Sequence, residues 1–216
     1  MTCEVVSINV GKVKVDTYKG KNIQTAIYKT PIEGRIFVSS MNITGDEQAD
    51  LINHGGKDKA LLMYPHEHYS YWHEKLGLHL QPGAFGENLT TNGLNEDNTC
   101  IGDVFELGDI TIQVSLPRQP CYKLANKLSE DKLPVYIQDT GFSGFYLRVL
   151  KEGYIEPGQT VKLVERHPEQ ITVSFVNNVK YHDKFNQEAL TRLVNLFVLS
   201  EDWRSSFQER LNTLTK

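Results

Sequence analysis

The chain has 216 residues, 39% of them hydrophobic, so it can bury a sizeable core, although it is short for two full domains. Its net charge of −4, without a run of five like charges, argues against binding to nucleic acid or to a membrane surface. The three cysteines form no disulfide framework, no signal-peptide pattern opens the chain, and no apolar run is long enough to span a bilayer, which together predict a cytoplasmic protein.

Short strands fill the chain up to about residue 165. Runs rich in Val, Ile, Tyr and Phe predict strands at residues 5–15, 22–29, 34–40, 59–64, 101–107, 110–116, 144–151 and 159–165. Many short strands with glycine-containing breaks favour a barrel or sandwich over a doubly wound sheet. One predicted helix interrupts them: Pro65 fits its first position, Gly77 fits just past its end, and Tyr69 and Trp72 share one face.

After residue 167 the hydrophobic spacing becomes that of helices. Leu190 and Leu193 mark one amphipathic helix, and Ser200 is a natural N-cap for another, which carries Trp203 and Phe207 four residues apart. Three helices in about 50 residues have too little core to be stable alone. We therefore expect them to pack on the first domain or on a second subunit, and a homodimer is plausible because the aromatic face needs a surface.

A thiol follows the alternating strand at residues 110–116. Pro117 ends that strand because proline has no N–H for a ladder, and Pro120 stiffens the connection that leads to Cys121. Arg118 and Lys123 flank the thiol, and cations beside a thiol favour its thiolate, the form that binds metals and attacks electrophiles. The alternative is a small buried cysteine in a strand-end loop.

A glycine pair precedes the strand at residues 59–64. Gly55 and Gly56 let backbone N–H groups approach a ligand, and Lys59 adds a positive charge, so the segment resembles an anion-binding nest. A plain loop entering the strand is the alternative. Four of the seven histidines lie between residues 54 and 73, but they lack the i, i+4 spacing of a helical zinc site, so a zinc centre is disfavoured.

Two further polar features have two interpretations each. In the loop at residues 83–90, Glu87 and Asn88 suit hydrogen bonding to a polar heterocycle, and would serve equally to fix the loop to its own backbone. Arg148 lies inside an otherwise apolar strand, where it either pairs with a carboxylate or holds an anionic ligand.

Taken together, these segments resemble one family. Residues 45–60 and 64–69, with the later segments 83–89, 117–123 and 144–150, resemble in order the motifs of MOSC domains, named after the C-terminal domain of molybdenum-cofactor sulfurase. Within the family, the chain is most similar to stand-alone bacterial YiiM-type proteins with a C-terminal three-helix (3-alpha) domain. The resemblance implies a mainly β protein: a MOSC-type β-barrel with a few helices at residues 1–166 and a small three-helix domain at residues 167–216.

The resemblance also implies a function. MOSC domains hold molybdenum cofactor, and the position of the family's metal-ligating cysteine is Cys121 here. YiiM-type members resemble molybdenum reductases of N-hydroxylated compounds such as 6-hydroxylaminopurine. The electrons are expected from a partner flavoprotein, since this chain has neither a GxGxxG after a strand nor a GxxxxGK[ST].

The resemblance further implies site residues. The acid that protonates the departing oxygen is expected to be His54 or Asp58, acting beside Cys121. Residues expected to bind the cofactor are Gly55, Gly56, Lys59, Glu87, Asn88, Arg118, Lys123 and Arg148. Three alternatives stay open: a carrier of cofactor or of persulfide sulfur on Cys121, a metal-free thiol enzyme, and an interaction module whose helical tail is the functional part.

Overall fold

The computed structural model describes residues 3–50 and 55–214. It is mainly β in its first three quarters, as expected. The strands among these residues are β1 (Glu4–Val10), β2 (Lys14–Tyr18), β3 (Lys21–Thr25), β4 (Thr30–Ile32), β5 (Ile36–Val38), β6 (Leu61–Pro65), β7 (Leu89–Asn92), β8 (Val104–Leu107), β9 (Ile110–Pro117), β10 (Phe145–Lys151), β11 (Gly153–Ile155) and β12 (Val161–Glu165).

The α-helices of the described residues form two groups of three. Those of the first group lie between strands of the main sheet, and those of the second come after the last strand. They are α1 (His68–Leu76), α2 (Tyr122–Lys127), α3 (Leu133–Thr140), α4 (Val173–Tyr181), α5 (Gln187–Val194) and α6 (Glu201–Leu214). None of the helices in the described ranges is long and apolar enough to cross a membrane.

The main sheet is mixed and open, which corrects the expectation of a barrel. Its strand order is β12-β8-β9-β10-β6-β7-β1-β4, with β6 and β7 parallel and the other pairs antiparallel. The edge strand β12 approaches the start of β1, which β4 does not cover: Val5 N donates to Gln159 O at 2.9 Å and Val161 N to Cys3 O at 2.8 Å. In the described residues this contact is one isolated bridge and not a ladder, so the sheet curls without closing.

Most of the predicted strands are present, and the errors have local causes. The single strand predicted at residues 5–15 is β1 and the start of β2, because the chain turns at Gly11. Pro65 ends β6 instead of opening a helix, so α1 begins three residues later. Gly77 does end α1, in the left-handed conformation, and its N–H bonds to His73 O at 3.0 Å. Helices α2 and α3, and strands β4, β7 and β11, were not predicted.

The three C-terminal helices share the sheet's core. Trp203 is 5% exposed and Phe207 is fully buried, and both belong to one apolar cluster with strand residues such as Ile112 and Phe145. The aromatic face is therefore covered by the first domain of the same chain, which was one of the two expectations, and it gives no support for a homodimer, which stays a prediction. The boundary near residue 167 stays a prediction. A second, smaller core is formed by the buried side chains of α1, α2 and α3, among them Trp72, Leu124 and Ile137.

Candidate functional site

A cleft opens where the two cores meet, and it contains several of the residues predicted for the site. It has a volume of about 630 Å³ counted with its open mouth. The end of β3, residues 46–50, the loop before β7 and the connection after β9 form its walls. The predicted residues that line it are Lys59, Asn88, Arg118, Cys121 and Lys123. Chain segments far apart in sequence thus converge on one thiol and four cations, because Lys29 also lines the cleft, together with the carboxylates Asp46, Glu47 and Asp50.

Cys121 lies at the N-terminal boundary of α2. Its backbone is extended (φ −126°, ψ 160°), and the half-buried side chain lines the cleft. Leu124 N donates to Cys121 O at 3.1 Å, which ties the residue to the first turn of α2. Pro120 precedes it and restricts the backbone further. The thiol is therefore presented to the cleft by a rigid strand-to-helix connection.

Arg118 is the most unusual group of the cleft. The residue is only 3% exposed, and Nη2 donates to Phe85 O at 3.2 Å. Nη1 is buried and has no hydrogen-bond partner among the described residues, and no carboxylate in that part of the chain forms an ion pair with the guanidinium. A buried charge without a counter-charge is costly. An anionic ligand in the cleft would remove that cost.

A buried ion pair that was not predicted forms the opposite wall. Lys29 pairs with Asp46, whose Oδ1 also accepts from Gly11 N at 2.8 Å, and Asn88 Nδ2 donates to Asp46 Oδ2 at 2.9 Å. Burial lowers the pKa of Lys29, and Asp46 partly opposes this shift. Asp46 lies in the motif at residues 45–60, whereas nothing in the local sequence around Lys29 marks it. Lys29 and Asp46 both line the cleft.

Two other cleft-side residues were also missed. Tyr146 on β10 lines the cleft, and burial raises the pKa of its hydroxyl to about 12. Lys127 on α2 donates to Ile27 O at 3.0 Å and to Gly83 O at 2.7 Å, and burial lowers its pKa to about 8. Because Lys127 bridges two loops that line the cleft, it holds their positions.

Glu87 does not line the cleft, in contrast to its predicted role in cofactor binding. The residue is fully buried and accepts from Gly83 N at 2.8 Å, from Phe85 N at 3.0 Å, from Thr90 Oγ1 at 2.8 Å and from Tyr69 Oη. Burial, followed by the charge of Glu87, raises the pKa of Tyr69. Glu87 thus fixes the loop to its own backbone. Asn88 also fixes this loop, since its Oδ1 accepts from Leu62 N at 3.0 Å, but it lines the cleft as well.

Arg148 pairs with a carboxylate, as one of its two interpretations proposed. Its Nε donates to Asp58 Oδ1, its Nη1 donates to Gln113 Oε1 at 3.1 Å, and the residue does not line the cleft. Asp58, predicted as an acid, is therefore held by Arg148 and is not among the residues that line the cleft. The other predicted acid, His54, lies outside the described residues.

The glycine pair enters a short 3-10 helix, Lys57–Lys59. Gly56 has φ of 92°, a conformation that favours glycine, and its carbonyl accepts from Lys59 N at 3.0 Å. Neither Gly55 nor Gly56 is among the cleft-lining residues of the described ranges. The anion-binding nest stays a prediction.

A metal at this site would need ligands from outside the described chain. Among residues 3–50 and 55–214, no three His, Cys, Asp or Glu side chains converge to hold an ion. Cys121 can supply one thiolate, which suits a thiophilic metal, and a bound cofactor would have to supply the rest. The buried, unpartnered Nη1 of Arg118 and the cations of the cleft fit an anionic cofactor of this kind.

Family models match most of the chain. The MOSC domain matches residues 50–162, and the YiiM-like 3-alpha helix domain matches residues 171–214. The chain is 47% identical to "Uncharacterized protein YflK" of Bacillus subtilis (97% of this chain, 95% of that protein) and 38% identical to "Protein YiiM" of Escherichia coli (91% of each). It is 36% identical to a "Reductase" of Gibberella moniliformis over 75% of this chain, a match that spans 29% of the fungal protein.

A solved structure of a YiiM protein has a similar fold over almost the whole chain. The crystal structure of YiiM from Geobacillus stearothermophilus superposes with a TM-score of 0.84 at 42% identity, covering 97% of this chain and 99% of that one. The chain therefore belongs to the MOSC family, a class generally associated with molybdenum-cofactor binding. More particularly, it is a YiiM-like member that carries the 3-alpha domain.

Proposed function

We propose that this protein binds molybdenum cofactor in the cleft and reduces N-hydroxylated compounds, with 6-hydroxylaminopurine as a representative substrate. The observation that carries the proposal is the buried guanidinium of Arg118 beside Cys121, with one nitrogen unpartnered in the described chain. Family membership and a relative named "Reductase" support it.

Different residues of the cleft would bind different parts of the cofactor. Arg118, Lys59 and Lys123 would bind its anionic groups, because charge-assisted hydrogen bonds to phosphate or dithiolate are strong in a partly buried site. Cys121 would contribute its thiolate to the metal. When bound, the cofactor supplies the two-electron redox couple and the position at which the N–O bond is broken.

The overall reaction requires electrons and protons from outside the substrate. An N-hydroxy compound takes two electrons and two protons, its N–O bond breaks, the nitrogen gains one hydrogen and the oxygen leaves as water. We propose a flavoprotein as the electron donor. His54 is the remaining candidate for the proton donor, because Asp58 is held by Arg148 away from the cleft lining.

The rigid thiol suits this role. Cys121 is positioned by backbone hydrogen bonds in α2 and by Pro120, so its direction is set before a ligand arrives. Neighbouring aromatic side chains close one side of the cleft, where Phe85 stacks on Tyr64 with ring centroids 4.3 Å apart. The three free cysteines suit a reducing, cytoplasmic compartment, which keeps such a thiol available.

The test is metal content followed by turnover. The protein is purified from a host that makes molybdenum cofactor, and molybdenum and pterin per chain are measured for the wild type and for Cys121→Ala. We expect near-stoichiometric molybdenum in the wild type, loss of metal in the variant, and reduction of 6-hydroxylaminopurine with a reduced flavoprotein. Stable cofactor binding without any reduction would favour a carrier, and a wild type without molybdenum and pterin would overturn the proposal.

A further inference from the structure

A second cleft lies on the other side of Cys121, between the sheet and the C-terminal helices. It measures about 980 Å³ counted with its open mouth. One wall comes from the connection after β9, with Gln119 and Pro120. The other wall comes from α4 and α6, which contribute Lys180, Asp202, Trp203 and Ser206. Nothing in the sequence suggested that the C-terminal helices reach the site.

The two clefts share three residues. Cys121, Tyr146 and Lys59 line both, so both cavities reach the thiol that is proposed to hold the metal. Asp202 of α6 lies 3.8 Å from Lys59 across this junction. Two cavities that meet at one reactive centre allow a cofactor and a substrate to approach it from different sides.

The chemistry of the second cleft differs from that of the first. The first cleft contains the buried guanidinium of Arg118, further cations and the carboxylates Asp46, Glu47 and Asp50, whereas the second is lined by fewer charged groups, the ammonium groups of Lys59 and Lys180 and the carboxylate of Asp202. Trp203 and Tyr146 offer aromatic surface, and Gln119 offers an amide that both donates and accepts. This set suits a planar nitrogen heterocycle that carries donors and acceptors on its edge.

Lys180 is held ready for such a ligand. Its Nζ donates to Ser206 Oγ at 3.0 Å and lies 4.9 Å from the Trp203 ring centroid. Burial, followed by the charge of Arg210, lowers its pKa. A partly desolvated amine near an aromatic ring interacts more strongly with a ring nitrogen or a carbonyl than a solvated amine does.

We infer that the cleft lined by Trp203, Lys180, Asp202 and Gln119 binds the heterocyclic part of the substrate, so that the C-terminal helices determine specificity. This inference rests on the proposed function for the identity of the reaction. The binding of a purine-like ring in this cleft is, however, a separate property that can be measured without turnover.

The first experiment reads binding by fluorescence. The chain has two tryptophans, and Trp72 is fully buried in the other core, so quenching on addition of a purine reports on Trp203. The cofactor-loaded protein, without reductant, is titrated with 6-hydroxylaminopurine and with adenine. We expect saturable quenching in the wild type, and its loss in Trp203→Phe would show that the signal comes from Trp203. Absence of saturable quenching up to millimolar purine would overturn the inference.

The second experiment blocks the cleft. Ser206→Tyr places a bulky side chain in it, and Ser205→Tyr, on an exposed position of the same helix, is the matched control. We expect wild-type molybdenum content in both variants. We also expect the dissociation constant and the KM for 6-hydroxylaminopurine to rise at least tenfold in Ser206→Tyr alone.

The outcomes separate this inference from the proposed function. Equal binding in Ser206→Tyr and Ser205→Tyr would overturn the cleft assignment even if the enzyme is active. Saturable quenching that Ser206→Tyr abolishes, in a protein that reduces no N-hydroxylated compound, would keep the cleft assignment and overturn the reaction. If Ser206→Tyr does not fold, Gln119→Ala decides, because it keeps Trp203 as the reporter, and an unchanged dissociation constant in this variant would overturn the cleft assignment.

Discussion

Replacement of Glu87 by alanine tests whether this carboxylate holds the loop or the cofactor. The structure gives it four hydrogen bonds, from two backbone N–H groups and two hydroxyls, and none to the cleft. A buried donor left without its partner costs about 1–3 kcal/mol, and the hydroxyls of Tyr69 and Thr90 can partly reorient. We therefore expect Glu87→Ala to lower the free energy of unfolding by about 3–6 kcal/mol.

Thermal unfolding of cofactor-free protein measures this effect. For a chain of this length, about 1 kcal/mol shifts the Tm by roughly 2–4 °C, so the expected decrease is about 6–24 °C. Glu87→Gln keeps one acceptor oxygen but turns an amide N–H₂ toward the donors, so its Tm should lie between that of the wild type and that of Glu87→Ala. The matched control is Glu74→Ala, an exposed position on α1 with an expected change within about 0.5 kcal/mol.

One result would refute the reasoning. If Glu87→Ala melts within about 2 °C of the wild type without cofactor but loses molybdenum when expressed in a competent host, Glu87 acts on the cofactor and not on the loop. The assignment from hydrogen bonds would then be wrong, and the assignment from the family motif would be right.

Three further predictions follow from the same contacts. Arg118→Met should lower pterin and molybdenum content at least tenfold. Cofactor-free protein should melt no lower than the wild type, because the change removes a buried charge that has no carboxylate partner among the described residues; a lower Tm would contradict this. In a double-mutant cycle measured by urea unfolding, Arg148→Ala and Asp58→Ala should show a coupling free energy of about 0.5–1 kcal/mol, and neither variant should change the molybdenum content. Additive effects on the free energy of unfolding would count against the ion pair between Arg148 and Asp58. The pKa of Lys127 is about 8 in the folded state and higher in the unfolded state, so the unfolded state binds more protons above pH 8. The free energy of unfolding of the wild type should therefore rise by on the order of 2 kcal/mol between pH 8 and pH 10, relative to that of Lys127→Met. Parallel pH profiles of the two proteins would refute this prediction.

The sequence by itself determined the features that depend on neighbouring residues. Alternation at residues 110–116 predicted strand β9 to within a residue, since side chains of a half-buried strand alternate between two faces. Gly77 predicted the end of α1 because a left-handed cap favours glycine. Contiguous motifs identified the family, and the position of Cys121 after a strand placed the thiol in a loop.

Only the tertiary structure decided which groups meet. Glu87 and Arg148 each had two possible roles in the sequence, and the choice depended on partners as far away as Asp58, 90 residues from Arg148. Lys29 and Trp203 reach the two clefts through folding alone, one from the segment between β3 and β4 and one from a C-terminal helix. Local patterns specify backbone conformation, whereas a buried charge acquires its role from distant chain segments that pack around it.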